Sequence, residues 1–229
     1  MLTAKAKQQG PGNHDMSEEN KVLTVAVADR FELVNPAVVM DSETLAVDKK
    51  AIVLTLSAVR FNLLGRELGI TIENGKLVED GENVLHLKLD VTEQILAGRT
   101  IDPGTVAWWN KRSEGARQAI INGRSMSVRE ALILFSDFIQ GAQPFSRGTD
   151  FDPPIIASLM EDFGLKAPWK YNQVRDVRTY IDALTDGRAG YLQQWQTPSW
   201  FVSHHSLHDC IRDAEQMLMA RRLRFVDPA

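Results

Sequence analysis

A short apolar run over residues 37–40 leads directly into Asp41, Ser42 and Glu43. A continuous apolar run of this length predicts a strand that is buried on both faces, as in a sheet covered by helices on each side. Residues two apart on a strand point to the same side, so Asp41 and Glu43 would present two carboxylates to one place while Ser42 points away. The sequence therefore predicts a buried sheet with an acidic pair at the end of one strand.

The rest of the chain changes from strand patterns to helix patterns. Predicted strands cover 51–61, 68–72 and 84–89, with Asn74-Gly75 as a turn, and a further short strand covers 143–148. Helix starts are predicted at Asp102-Pro103, at Ser113, at the capping box of Ser127 and Glu130, and after Asp152 at Pro153-Pro154. Two further helices are expected over 176–184 and from about 207 onward. Strands first and helices after predict an α/β fold with a mixed sheet flanked by helices, the ribonuclease-H-like arrangement.

Two further acids and one histidine complete a set that could perform hydrolysis. Four carboxylates at one point would repel each other unless cations lay between them, and hard divalent cations prefer oxygen ligands. We therefore expect Asp41, Glu43, Asp152 and Asp213 to hold two Mg²⁺ ions, for which Mn²⁺ can substitute, about 4 Å apart. His208 is the expected general base for an attacking water.

The helical geometry of the late histidine and aspartate adds a structural expectation. Residues five apart on an ideal helix differ by about 140°, so His208 and Asp213 would not share a face. We expect His208 in the loop before the last helix and Asp213 about one turn inside it. His204 and His205 are interpreted as decoys for His208.

Each of these residues also has an ordinary structural interpretation. An Asp-x-Glu is frequent and usually solvated, and Asp152 before two prolines is typical of a helix N-cap. Asp213 could be a surface residue of the helix and His208 a packed side chain, while Asp150 is either an extra acid or a loop residue. The joint order, with acids at a strand end, a helix start and the final helix, favours the catalytic interpretation.

Four other residues are candidates for substrate contact: Thr44, Trp109, Arg147 and Arg175. Tryptophans often stack on the bases of single-stranded nucleic acids, and arginines bind phosphate. Trp108 and Trp109 are adjacent on a predicted helix and face different directions, so at least one of them is expected in the core.

Composition and charge limit the class of protein. Residues 1–21 are polar without periodicity, whereas 22–27 are apolar enough for a strand; we expect a disordered or poorly ordered extension over 1–35, followed by a single domain over 36–229. The formal net charge is −4, which argues against a general nucleic-acid coat protein, although two bound divalent ions would bring the charge near zero. A single cysteine, Cys210, excludes an internal disulfide and favours a reducing, cytoplasmic compartment.

Several segments resemble a known group of enzymes. They are the acidic strand end, residues 105–113 with two tryptophans, residues 146–152, the Asn-Gln-x-Arg-Asp-x-Arg segment at 172–178 and the His-rich segment 201–210. They resemble the DEDD 3′-5′ exonucleases of the His subclass (DEDDh), in particular the exonuclease A type of T-even-like phages and the Rv-type exoribonucleases. The resemblance implies a ribonuclease-H-like fold, two Mg²⁺ ions and stepwise 3′-5′ release of nucleoside monophosphates, with Asp41, Glu43, Asp152, Asp213 and His208 at the matching positions.

The leading hypothesis is a phage-encoded, metal-dependent 3′-5′ exonuclease that acts on single-stranded DNA in the bacterial cytoplasm. An alternative is a 3′-5′ exoribonuclease that trims RNA ends. A third hypothesis, from another class, is a catalytically inactive nuclease-like module that binds a host protein.

Overall fold

The computed structural model describes residues 35–73, 76–78 and 82–225. The predicted extension over 1–35 lies outside the described residues apart from Asn35, and so does the predicted Asn74-Gly75 turn. Within these ranges, no helix combines the length and the apolar character needed to cross a bilayer.

The central sheet has five strands in the order β5 (Val84–Lys88), β2 (Val53–Asn62), β1 (Pro36–Thr44), β6 (Gln143–Ser146) and β7 (Arg175–Asp176). β1 pairs antiparallel with β2, with Met40 opposite Ala58, and β2 pairs antiparallel with β5. On its other side β1 pairs in parallel with β6, and β6 pairs in parallel with β7. A separate two-stranded sheet contains β3 (Ile72–Glu73) and β4 (Lys76–Leu77).

Seven helices occur in the described part of the chain. They are α1 (Val91–Leu96), α2 (Pro103–Trp109), α3 (Glu114–Ile121), α4 (Val128–Ile139), α5 (Asp152–Asp162), α6 (Val177–Thr185) and α7 (Ser206–Phe225). The fold is therefore the mixed sheet flanked by helices that the order of patterns predicted. A predicted strand over 68–72 is wrong, because only Ile72 of that segment is in a strand.

The two faces of β1 pack against different helices. Val38 and Met40 lie in one apolar cluster with residues of α4 and α5, and Ala37 and Val39 lie in a second cluster with residues of α6 and α7. Side chains alternate along a strand, so Asp41 continues the row of Ala37 and Val39. The acidic pair of β1 therefore lies on the face covered by α7, and the prediction of a strand buried on both faces is confirmed.

Two helix starts differ from the predicted caps. Ser127 makes no side-chain cap hydrogen bond; instead, the carboxylate of Glu93 on α1 accepts from the backbone N–H of Val128 at 2.9 Å. Asp152 is the first residue of α5 rather than its N-cap, and Phe151 occupies the cap position. The carboxylate of Asp152 is consequently available to groups outside its own helix.

Candidate active site

Asp152 lies on α5, on the opposite face of the sheet, and its carboxylate is hydrogen-bonded to the end of β1. Its Oδ1 accepts hydrogen bonds from the backbone N–H of Ser42 at 3.0 Å and from the Ser42 hydroxyl at 2.7 Å. Its Oδ2 accepts from the Ser146 hydroxyl at 3.2 Å, at the end of β6. Ser42 does point away from Asp41 and Glu43, as its strand position predicts, and this orientation fixes the third acid beside the other two.

A cavity of about 480 Å³ opens at this end of the sheet. The residues of β1 that line it are Asp41, Ser42, Glu43 and Thr44, and α2 and the loop before it contribute Asp102, Thr105, Trp108 and Trp109. Arg147, Asp152, His204 and Asp209 line it from the other elements. Five carboxylates thus border one cavity, and three of them, those of Asp41, Glu43 and Asp152, belong to the set that the sequence predicted.

The start of α7 contributes a histidine and an aspartate. His204 lies in the loop before the helix with φ of +64°, a backbone conformation that is uncommon for residues other than glycine. Its backbone N–H donates to Oδ2 of Asp209 at 3.0 Å, so the side chain of Asp209 holds the strained turn. The ring of His204 stands edge-on to the ring of Trp108 at 4.9 Å between centroids. These contacts orient His204 and Asp209 toward the same cavity.

The carboxyl groups of the cavity have raised pKa values. Burial raises the pKa of Asp41 well above its usual range, and the charges of Asp152 and Glu43 raise it further. Burial likewise raises the pKa values of Asp152 and Asp209, each to about 6. Burial is also the main cause of the raised pKa of Glu43, to which the charge of Asp209 adds. The carboxylates repel one another in a poorly solvated cavity, and this is the electrostatic environment expected of residues that bind a cation.

The donor set suits divalent cations. One carboxylate oxygen of Glu43, one ring nitrogen of His204 and one carboxylate oxygen of Asp209 lie within 4.8 Å of one another. Asp41 and Asp152 border the same cavity, so most of the available donors are carboxylate oxygens, which Mg²⁺ and Mn²⁺ prefer. The residues present therefore fit a metal centre of the kind that the sequence predicted.

His208 and Asp213 occupy different positions from those expected. His208 lies inside α7 rather than in the loop before it, so that placement is wrong. Its Nδ1 accepts from the backbone N–H of Val202 at 2.9 Å, and its ring stacks on His205 at 4.0 Å between centroids. Asp213 is the eighth residue of the helix, two turns in rather than one.

Asp213 is occupied by two arginines. Its two oxygens each accept from Nε of Arg147 at 2.9 Å, and Oδ1 also accepts from Nε of Arg212 at 2.8 Å. Among the residues that the structure describes, neither His208 nor Asp213 lines the cavity. The predicted geometry, a histidine just before the helix and an aspartate one turn inside it, is met by His204 and Asp209 instead.

The remaining candidates from the sequence differ in their exposure and in their position relative to the cavity. Thr44 lines the cavity, but its hydroxyl donates to the carbonyl of Ala46 at 2.6 Å. Trp109 is 4 % exposed and its indole N–H donates to the carbonyl of Thr44 at 2.9 Å, whereas Trp108 is 38 % exposed. Trp109 is thus the structural tryptophan and Trp108 the accessible one.

Arg147 borders the cavity of the carboxylates, whereas Arg175 does not. Arg175 lies on the edge strand β7, and its Nη1 donates to the carbonyls of Asn172 and Gln173 at 2.5 and 3.2 Å, so it stabilises its own loop. It lines a different cavity, near β6 and α6. Arg147 lines the cavity of the carboxylates. Asp150 is exposed in the loop before α5 and does not line that cavity.

Comparison with known proteins identifies relatives by sequence. Residues 36–220 match the family described as the 3′-5′ exoribonuclease Rv2179c-like domain. An exodeoxyribonuclease of Enterobacteria phage T4 is 28% identical over 213 residues, which cover 80% of this chain and 88% of the phage protein. The family match over 36–220 contains every element from β1 through most of α7.

Comparison with solved structures identifies the fold. The nuclease domain of 3′hExo, a DEDDh family member bound to rAMP, superimposes with a TM-score of 0.51 at 10% identity and covers 82% of this chain and 92% of that one. The cell-death related nuclease 4 (CRN-4) superimposes with a TM-score of 0.50 at 14% identity, over 84% of this chain and 64% of its own. The mixed sheet and its flanking helices form a ribonuclease-H-like fold.

Proposed function

The chain belongs to the Rv2179c-like family of 3′-5′ exoribonuclease domains and is a 3′-5′ exonuclease of the DEDDh type, and from this premise we propose that it hydrolyses single-stranded DNA from the 3′ end by a two-metal-ion mechanism. The observation that carries the proposal is the single cavity bordered by Asp41, Glu43, Asp152 and Asp209 with His204 at its edge. Released products are nucleoside 5′-monophosphates.

The metal ligands in this proposal are Asp41, Glu43, Asp152 and Asp209. Asp209 takes the place that the sequence assigned to Asp213, because Asp209 borders the cavity and Asp213 is bound by two arginines. When bound, two divalent cations would lower the pKa of the attacking water and stabilise negative charge on the leaving oxygen. The Ser42 and Ser146 hydroxyls, which donate to Asp152, hold that carboxylate in place.

His204 is the proposed general base in place of His208. Burial lowers the pKa of His204, and the positive charges of Arg112 and Arg212 lower it further. A lowered pKa keeps the imidazole neutral near pH 7, as a proton acceptor must be. His204 lies at the cavity, while the Nδ1 of His208 is engaged by the backbone of Val202.

The preference for DNA rests on the relative from phage T4, which is an exodeoxyribonuclease and matches most of this chain. The family name points to RNA instead, and RNA is therefore the second candidate substrate. Action in the bacterial cytoplasm on behalf of a phage stays a prediction of the same kind.

The direct test uses 5′-labelled DNA and RNA single strands of one sequence, incubated with Mg²⁺ or with EDTA. We expect a ladder that shortens from the 3′ end, that needs Mg²⁺ and that forms faster on DNA. Faster shortening of RNA would make RNA the preferred substrate. The absence of shortening on both strands would contradict the proposed exonuclease activity.

The inactive-module hypothesis is separated by metal binding. A module that binds only a host protein has no need of cations, whereas the proposed mechanism requires them. Calorimetric titration with Mn²⁺ should show binding by the wild-type protein and its loss in Asp41→Asn. No heat of Mn²⁺ binding, together with no shortening, would favour the module.

A further inference from the structure

Several contacts immobilise the side chain of Arg147 beside the cavity. Its Nε donates to both oxygens of Asp213 at 2.9 Å, and its Nη1 donates to the carbonyl of Gly190 at 2.6 Å. The guanidinium carbon lies 3.8 Å from the centre of the Tyr191 ring. The side chain is 6 % exposed, so these contacts hold it with little freedom.

One donor of this immobilised group has no partner within the described part of the chain. Nη2 of Arg147 is buried and makes no hydrogen bond to any residue that the structure describes. A buried donor without an acceptor is costly, and a cationic one more so, which indicates that a further acceptor belongs there. Arg147 also borders the cavity of Asp41, Asp152 and Asp209. A substrate bound in this cavity could supply the missing acceptor.

The loop over 187–199 contacts this arginine through Gly190 and Tyr191. The backbone N–H of Gly190 donates to Asp182 on α6 at 2.8 Å, while its carbonyl accepts from Arg147. Gly190 has φ of +65°, and a Cβ atom there would lie 2.3 Å from Cβ of Arg178, so the close approach requires glycine. The loop thus delivers one carbonyl and one aromatic ring to Arg147.

Asp213 gives Arg147 its charge balance. Asp213 is 2 % exposed as a side chain and accepts from Arg147 and Arg212 together. An arginine beside a cation site would repel the ions unless a carboxylate compensated it. With Asp213 bound at Nε, the group can approach the ions and still offer Nη2 to an anion.

We propose that Arg147 is a phosphate-binding residue of this exonuclease, which donates from Nη2 to the phosphate of the 3′-terminal nucleotide, and that Asp213 is the positioning residue that holds it. The inference rests on the proposed function, because it assumes that the cavity receives a nucleotide. The planar guanidinium suits the task, since it can pair with a carboxylate along one edge and with a phosphate oxygen along another.

The test measures binding of nucleoside monophosphates in the presence of Mg²⁺. AMP and dAMP are titrated calorimetrically into the wild-type protein and into Arg147→Gln, with adenosine as the matched ligand that lacks phosphate. We expect the variant to bind the tighter of the two monophosphates about tenfold or more weakly, as for the loss of a charge-assisted hydrogen bond. Its affinity for adenosine should change less than about twofold by the same argument.

Three further variants separate phosphate binding from structure. Arg147→Lys keeps the charge and can pair with Asp213 but lacks Nη2, so it should resemble Arg147→Gln. Arg129→Gln removes an exposed arginine of α4 that does not border the cavity, and it should bind like the wild type. Asp213→Asn, checked for folding by thermal melting, should lose monophosphate affinity and retain Mn²⁺ affinity.

Several results would overturn the inference. They are an unchanged monophosphate affinity in Arg147→Gln, an equal loss for adenosine, or a loss of Mn²⁺ affinity in Asp213→Asn, which would make Asp213 a metal ligand. Failure to bind either monophosphate by wild-type protein would also overturn it. Mg²⁺-dependent strand shortening by that same protein would show that the proposed function stands without this part.

Discussion

The end of strand β1 and the start of helix α7 supply the same cavity, yet only the first could be located from the sequence. On β1, the strand period of two leaves one way to bring Asp41 and Glu43 to one side. At α7, the spacing His-x4-Asp occurs twice, as His204 with Asp209 and as His208 with Asp213.

The two copies of the spacing differ by four residues, which is about one helical turn. Residues one turn apart share a helix face, so periodicity cannot choose between Asp209 and Asp213. What distinguishes them is depth along the helix: Asp209 is near its start and borders the cavity, while Asp213 is a turn deeper among arginines. A motif on a helix therefore fixes relative geometry, and only the position of the helix start fixes which copy reaches the site.

The largest expected effect lies at the strand. Asp41→Asn removes one carboxylate from the centre of the acidic cavity, where metal stabilisation of the transition state is worth several kcal/mol. We expect kcat on labelled single strands to fall by roughly 10³-fold or more. Asp150→Asn is the matched control, because this exposed acid does not border the cavity, and it should keep nearly full activity. Similar losses of kcat in both variants would contradict the assignment of Asp41 as a metal ligand.

The helix start gives the next largest effect. His204→Ala removes the proposed general base and should lower kcat by about 10²-fold to 10⁴-fold. His208→Ala should keep kcat within about tenfold by the same criterion and instead lower Tm, because its buried ring stacks on His205. A large loss of kcat in His208→Ala with little loss in His204→Ala would instead support His208 as the general base.

The two tryptophans of α2 sharpen the comparison at the rim of the cavity. Trp108→Leu should raise KM by about tenfold without a large change in kcat, since stacking on a base is worth about 1–3 kcal/mol. Trp109→Phe loses the hydrogen bond to the carbonyl of Thr44 and should lower Tm with little change in KM. A larger KM effect for Trp109→Phe would favour the sequence-based choice of Trp109.

The smallest effect is a shift of stability with pH. Asp152 and Asp209 have pKa values raised to about 6, so the folded protein holds protons that the unfolded chain releases above about pH 4. In EDTA, the free energy of unfolding should therefore fall as pH rises from about 4 to about 6. Mn²⁺ should raise Tm more at about pH 7 than at about pH 5, because protons compete for the same oxygens. Equal metal-induced shifts at both pH values would indicate that these carboxylates are not the ligands.

Much of the fold could be predicted because its signals are local. The apolar run of β1 and the caps at Asp102 and Ser113 each specify their element within a few residues. The contact between Arg147 and Asp213 could not be predicted, because the two residues lie 66 positions apart along the chain. The cap of α4 by Glu93, 35 residues from Val128, is a non-local contact of the same kind. Competition between a metal and a side-chain partner for one carboxylate is decided by such contacts.

The choice between Asp209 and Asp213 is tested most directly by Mn²⁺ binding to two variants. Asp209→Asn and Asp213→Asn are titrated calorimetrically after thermal melts have shown that both are folded. We predict that Asp209→Asn loses Mn²⁺ affinity by at least about tenfold, whereas Asp213→Asn keeps it within about threefold. Loss of affinity in Asp213→Asn with retention in Asp209→Asn would contradict the account.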